Sequence, residues 1–187
     1  MRATRWSRRS PRRSPLGAIA TLAAIALIAG LAALVFAPPA TLVGQARAID
    51  GDSLAIGETR IRLLGLDAVE YAQTCTREGE DWPCGRQARD FLRDLVVKDE
   101  TRCTSDRRDQ YGRALAYCSI RDGDLGDAIV RAGYAIADLE YAVPLADARL
   151  NRRGIWAGSF IDPAEFRRTH DSASPSFWHW LLSLLPH

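Results

Sequence analysis

The chain has 187 residues, 47% of them hydrophobic and 26% charged. That is enough for one domain of roughly 130–150 residues with appendages and too little for two enzymatic domains; it also excludes a low-complexity chain. The formal net charge of +2 shows no overall basic excess of the kind that marks many nucleic-acid binders.

Residues 1–15 carry Arg2, Arg5, Arg8, Arg9, Arg12 and Arg13 and no acid, and residues 16–36 come next without a charge. As a helix this apolar run spans roughly 31 Å, the depth of a bilayer core. A basic flank before an apolar run predicts arginines in the cytoplasm and everything beyond residue 36 on the far side. The run is longer than the usual signal-peptide core of about 7–15 residues, and Pro38 would directly follow a cut after Ala37. A transmembrane anchor is therefore favoured, with a cleaved signal as the alternative. The expected location is a membrane with the domain on its non-cytoplasmic side, or secretion if the segment is removed. Six of the 25 basic residues lie in the flank, so 19 remain against 23 acids, a net of −4 for residues 16–187.

From residue 41 to 168 strands come first and helices later. Residues 41–49 and 53–56 read as strands around the turn Asp50-Gly51-Asp52, and Gly57-Glu58 turns into a third strand over 60–66. Residues 85–97 are helical in period, with Ala88, Phe91, Leu92 and Leu95 on one face. A strand pair comes next over 101–105 and 114–120, then a helix over 124–132 ended by Gly133. Pro144 starts a third helix with Leu145, Ala148 and Leu150 inward, ended by Gly154. The fold class expected is α+β, a small five-stranded barrel with three packed helices. Residues 169–187 form a polar linker and an apolar aromatic tail, FWHWLLSLL, too short to span a membrane. It would lie in a membrane interface or cover an apolar patch.

The domain holds Cys75, Cys84, Cys103 and Cys118. An extracytoplasmic compartment permits disulfides, and four cysteines allow three pairings. Cys103 and Cys118 fall on consecutive strands that meet as a hairpin, which predicts a bond between them and leaves Cys75 with Cys84. No histidine lies between residues 37 and 169 and no short paired cysteine spacing is present, which argues against zinc.

Asp52 follows a tight turn, Asp67 follows a strand, and Glu70 lies three residues on. Carboxylates at such a rim, with a backbone carbonyl, make an oxygen-only site suited to Ca²⁺ or Mg²⁺. Arg62 precedes Asp67, and Arg113 follows Tyr111-Gly112 at a strand start. Two guanidiniums opposite a hard cation and a carboxylate suit phosphodiester hydrolysis. Each residue alone is more often a surface ion-pair or turn residue than a catalytic one.

The motifs AIDGDSL, IRLLGLDAVE, DQYGRALAYC, LGDAIVRAGYA and RRGIW, with Gly85 and Ala88 in the helix between, resemble the staphylococcal nuclease (thermonuclease) family over about residues 41–157. The resemblance implies an OB-fold barrel and a Ca²⁺-dependent nuclease acting on DNA or RNA as a monomer. It places metal ligands at Asp52, Asp67 and the Ala68 carbonyl, and catalytic roles at Arg62, Glu70 and Arg113. Tyr111 falls beside the phosphate pocket as a substrate-binding residue. The chain departs from the family in having Val69 where many members have proline. It also has the segment YAQTCTREGEDWPC in place of a flexible lysine-rich loop. A Cys75–Cys84 bond and Trp82 would stiffen that segment and reshape substrate access. The cysteine placement resembles an envelope-directed bacterial branch, some of whose members are associated with exopolysaccharide loci. The alternative to a nuclease is a non-catalytic OB-fold module that binds oligonucleotide, polysaccharide or an envelope protein.

Overall fold

A run of apolar residues between Pro15 and Val35 forms helix α1 (Pro15–Val35), the first element in the computed structural model, which describes residues 15–35 and 39–171. The basic flank before Pro15 and the aromatic tail expected at the C-terminus lie outside the described residues. The chain divides into two units, residues 1–38 and 39–187. The side chains of α1 are described over residues 19–31, where all are exposed. Among the described residues no helix is long and apolar enough to cross a membrane.

The second unit begins with β1 (Ala40–Gly44), β2 (Ala46–Ala48), β3 (Ser53–Ile56), β4 (Thr59–Leu63) and β5 (Leu66–Ala68). A hairpin of β6 (Cys75–Arg77) and β7 (Glu80–Trp82) leads into helix α2 (Cys84–Val96). Then come β8 (Thr101–Arg108), β9 (Ala114–Ile120), β10 (Gly123–Asp124), α3 (Leu125–Ala132) and β11 (Ala135–Ala137). A short 3₁₀ turn, Leu139–Tyr141, opens α4 (Ala142–Leu150); another, Gly154–Ala157, precedes α5 (Pro163–Asp171).

The main sheet runs β1-β8-β9-β4-β3-β2, with β10 added to β9. All pairings are antiparallel except β4 with β9, which is parallel. The two ends of this path, β1 and β2, are consecutive pieces of one segment, so the sheet curls back toward itself as a half-barrel. The expected single strand over 41–49 is broken at Gln45. Its amide donates to the carbonyls of Val96 (2.9 Å) and Val97 (3.3 Å), satisfying acceptors that the end of α2 leaves unpaired. The expected strand over 60–66 is broken as well. Gly65, at φ 76°, turns the chain, so Asp67 lies inside a separate strand, β5, paired with β11.

The curled sheet encloses a core of fully buried side chains, among them Leu54, Ile61, Leu92, Leu125, Ile129 and Val130. Each such Leu or Ile contributes about 1.5–3 kcal/mol by leaving water. α2 offers Ala88, Leu92 and Val96 as its buried stripe. Asp124 caps α3 by accepting from the Asp127 N–H at 2.8 Å, and Gly133 at φ 80° closes it. The inward face of α4 differs from expectation: Pro144 and Ala148 are buried, Leu145 is half-buried and Leu150 is 83% exposed. Leu150 is the last residue of α4, where the helix has turned its face to solvent. Leu150→Glu is accordingly expected to leave the unfolding free energy within about 0.5 kcal/mol of the parent in urea titrations.

Both expected disulfides are present, Cys75–Cys84 and Cys103–Cys118. Cys103 and Cys118 are direct cross-strand partners on β8 and β9. Cys75–Cys84 ties the first residue of β6 to the first residue of α2.

Candidate active site

The turn before β3 is built from Ile49 and Asp50 N–H groups donating to the Ser53 carbonyl at 2.8 and 3.0 Å. It turns Asp52 inward, and that residue is only 5% exposed. Ser53 pairs with Arg62 across β3 and β4, which brings the Arg62 guanidinium beside Asp52. Arg62 Nη2 reaches Asp67 Oδ1 at 2.6 Å and lies 2.9 Å from Asp52 Oδ2. The second contact is off the hydrogen-bonding direction, so the wholly buried Asp52 Oδ2 has no hydrogen-bond partner. Burial raises the Asp52 pKa above the ordinary carboxylate value, with Arg62 pulling the other way. Its neighbour Asp50 is pushed up to about 6, chiefly by burial, with the charges of Glu70 and Asp52 adding to it.

Asp67 and Ala68 are placed by β11. The Val69 N–H donates to the Tyr134 carbonyl at 3.1 Å, so Ala68 and Ala135 form the alternate, non-hydrogen-bonded pair of this ladder. The Ala68 carbonyl therefore points away from β11. Glu70 follows on a short loop that packs onto the start of α2. A Cβ on Gly85 would fall 1.7 Å from the Glu70 carbonyl oxygen, so only glycine permits this approach.

Gln73 holds the loop. It is 1% exposed, accepts from the Glu70 N–H at 3.2 Å and donates to the Ile161 carbonyl at 2.5 Å. Its own carbonyl accepts from the Gly85 N–H at 3.1 Å. Val69 in place of proline thus leaves Glu70 fixed by hydrogen bonds instead of by a ring. Gln73→Ala takes the partner from part-buried backbone groups on two segments and empties a buried position, and is expected to cost about 1–3 kcal/mol, read from denaturant midpoints at constant m-value.

Arg113 is positioned by Asp109. Both its backbone N–H (2.9 Å) and Nε (2.7 Å) donate to that carboxylate, which also accepts from the Tyr111 N–H at 2.9 Å. Burial opposes ionisation of Asp109, but these hydrogen bonds hold its pKa below the ordinary value. Tyr111 is 75% exposed, with the Arg113 guanidinium 5.6 Å from its ring centre.

One open cavity of about 920 Å³ brings these groups together. Asp52, Arg62, Glu70, Tyr111 and Arg113 line it, as do Asp50, Arg60, Arg167 and Arg168. Asp67 and Ala68 are tied to it through Arg62 and the chain leading to Glu70. The β6–β7 hairpin contributes no lining residue, so the cysteine-bearing segment does not itself wall the cavity. α5 does, through Ala164, Arg167 and Arg168.

Sequence reasoning did not single out α5 or Arg167. Arg167 Nη1 donates to Asp67 Oδ1 (2.9 Å) and Glu70 Oε1 (2.6 Å), and Nη2 donates to Asp67 Oδ2 (2.8 Å). These bonds, first those to Asp67 and then that to Glu70, raise its pKa above the ordinary arginine value. The signal was present as Asp162-Pro163-Ala164-Glu165: an N-cap residue, then proline at the first helical position. Asp162 Oδ1 does accept from the Ala164 N–H at 2.8 Å.

Among the described residues no group of three or more His, Cys, Asp or Glu side chains is arranged to hold a metal ion; arginines stand between the carboxylates instead. The donor chemistry still fits a hard cation. Asp52 Oδ2, Asp67 and the Ala68 carbonyl are all oxygen, and the first is buried without a hydrogen bond.

Comparison with known proteins gives matches along most of the chain. The family described as Staphylococcal nuclease homologue matches residues 60–158. The Succinoglycan biosynthesis protein ExoI of Rhizobium meliloti (strain 1021) is 35% identical over 80% of this chain and 83% of its own length. The Thermonuclease of Staphylococcus intermedius is 32% identical over 49% of this chain and 56% of its own. The Micrococcal nuclease of Shigella flexneri is 27% identical over 82% and 97% respectively.

Proposed function

Because this chain belongs to the staphylococcal nuclease homologue family, we propose that it hydrolyses phosphodiester bonds of DNA or RNA outside the cytoplasm, with Ca²⁺ as cofactor. The observation that carries this is the meeting of Arg62, Arg113, Glu70 and Asp52 in one open cavity. Arg62 and Arg113 take the non-bridging oxygens of the phosphate and stabilise the charge that builds there. Glu70 orients a water molecule and accepts its proton. Attack on phosphorus expels the 5′-oxygen and leaves a 3′-phosphate end. Tyr111, exposed beside Arg113, offers a face for a base or sugar. Asp52, Asp67 and the Ala68 carbonyl would hold Ca²⁺, which would neutralise charge on the phosphate when bound.

From the sequence pattern of a basic flank before the uncharged residues 16–36, the same reading makes the protein a monomer held at the bacterial inner membrane, with the second unit facing the periplasm, or a secreted protein if that segment is removed. The unit beyond it has a net charge of −4, so long-range attraction of a polyanion is absent. Affinity then rests on few phosphate contacts. The logarithmic salt slope for single-stranded DNA is expected at about −1 to −2 in titrations with Ca²⁺; a slope several times steeper would point to a broad basic groove.

A second reading is favoured by the arginines that fill the carboxylate cluster and by the succinoglycan-named relative: a binding module for an anionic polysaccharide or oligonucleotide. Incubating the full chain, purified in detergent, with single-stranded DNA in Ca²⁺ or in chelator separates the two. Cleavage that needs Ca²⁺ supports the nuclease. A gel shift in chelator with no cleavage in Ca²⁺ supports the module.

A further inference from the structure

Asp67 lies at the centre of the proposed cation site, yet both of its oxygens are held by guanidiniums. Oδ1 accepts from Arg62 and Arg167, and Oδ2 accepts from Arg167. The same Nη1 of Arg167 also reaches Glu70. This is the two-pronged geometry in which arginine outperforms lysine. A calcium ion needs oxygen ligands at about 2.3–2.6 Å. A guanidinium donating to those same oxygens both occupies their lone pairs and repels the ion at close range.

Arg167 is delivered by built structure. Asp162 caps α5, Pro163 is buried, and the Ile161 carbonyl is held by buried Gln73. Just upstream, Thr76 and Ser159 exchange both backbone hydrogen bonds at 2.9 Å. The hairpin that carries Cys75 thereby fastens the segment leading to α5. Two independent attachments, to Gln73 and to Thr76, thus fix where α5 enters the cavity.

We propose that Arg167 is a tethered competitor for the divalent cation, so that it sets the cation concentration the site requires. This rests on the reading of the site as a Ca²⁺ site. Cation binding at Asp67 and the Arg167 contacts to Asp67 and Glu70 exclude each other. Apparent cation affinity is therefore the intrinsic affinity multiplied by the fraction of molecules in which Arg167 is withdrawn.

The test is calorimetric titration of the full chain in detergent with Ca²⁺ alone, without nucleic acid. Arg167→Met is expected to bind Ca²⁺ at least about tenfold more tightly than the parent. Arg131→Met makes the same charge change at a residue paired with Asp127 and Asp147, away from the cavity, and is expected to leave the affinity unchanged. Equal affinity in the parent and Arg167→Met overturns the proposal while leaving Ca²⁺ binding intact. Equal tightening in Arg131→Met does the same. No Ca²⁺ binding by either protein overturns both the proposal and the Ca²⁺ reading. A second measurement needs no variant: the ¹⁵Nε resonance of Arg167 in the parent chain is expected to shift on Ca²⁺ saturation. A resonance unmoved by bound Ca²⁺ overturns the proposal.

Discussion

Arg113→Ala is expected to lower the rate of single-stranded DNA cleavage by about 10²–10³-fold, the scale seen when one donor to a developing oxyanion is removed. Glu70→Gln is expected to cost about 10²–10⁴-fold, the range for a positioned general base. The two losses differ in what else they change. Arg113 is half-buried on a turn, its only ion-pair partner among the described residues is Asp109, and that carboxylate keeps the Tyr111 N–H as a donor when the guanidinium is gone. Stability should hardly move, so circular dichroism and denaturant midpoints match the parent while the cleavage rate falls. Asp109→Asn separates charge from orientation. It keeps the Arg113 side chain and its charge but weakens two of the hydrogen bonds that anchor the residue. A loss of about ten- to a hundredfold in turnover is expected from misplacement alone. An Arg113→Ala protein that cuts at the parent rate, in Ca²⁺ and at matched protein concentration, would remove the central support for the nuclease reading.

Much of this site was legible because short-range chemistry specifies it. Asp50-Gly51-Asp52 is a turn by composition, and the turn itself aims Asp52 at Arg62. Cys103 and Cys118 sit at positions whose strand alternation puts them opposite one another, so pairing follows from register. What was hidden depends on contacts distant in sequence. The break at Gln45 exists because the end of α2, some fifty residues later, presents carbonyls that need donors. Asp67 leaves the β4 strand because Gly65 turns there and β11 offers an edge to pair with. The contact of Arg167 with Asp67 spans a hundred residues. Periodicity cannot report such an encounter, although the cap at Asp162 could have announced the helix that makes it. Leu150 shows the opposite error. Its spacing fits the apolar face of α4, but helix period says nothing about where the neighbouring layer ends.

The largest structural effect is expected at Gly133, where the two late motifs of the sequence meet. Gly133 has φ 80° and Gly154 has φ 54°. A Cβ on Gly133 would lie 2.2 Å from the Arg153 carbonyl oxygen, and one on Gly154 would lie 2.2 Å from the Gly133 carbonyl oxygen. Two backbone segments are in direct contact here, sealed by the Ile155 N–H donating to the Gly133 carbonyl at 2.9 Å. Alanine at Gly133 meets two penalties. The left-handed conformation costs about 1–2 kcal/mol for a residue with a Cβ, and the clash forces backbone apart because no flexible side chain is there to yield. A total above about 3 kcal/mol is expected. Gly57 provides the comparison, since it has φ 56° but nothing within 4 Å of its Cβ position. Gly57→Ala should therefore cost only the conformational part, about 1–2 kcal/mol. Urea titrations of both variants test the difference; equal losses would show that the Gly133–Gly154 contact carries no energy of its own. The effect should also reach the site. β11 starts two residues after Gly133 and holds β5, so moving Gly133 disturbs the register that places Asp67. On the Ca²⁺ reading proposed for the site, any folded Gly133→Ala protein is thus expected to lose Ca²⁺ affinity as well as stability, while Gly57→Ala, on the hairpin between β3 and β4, keeps it.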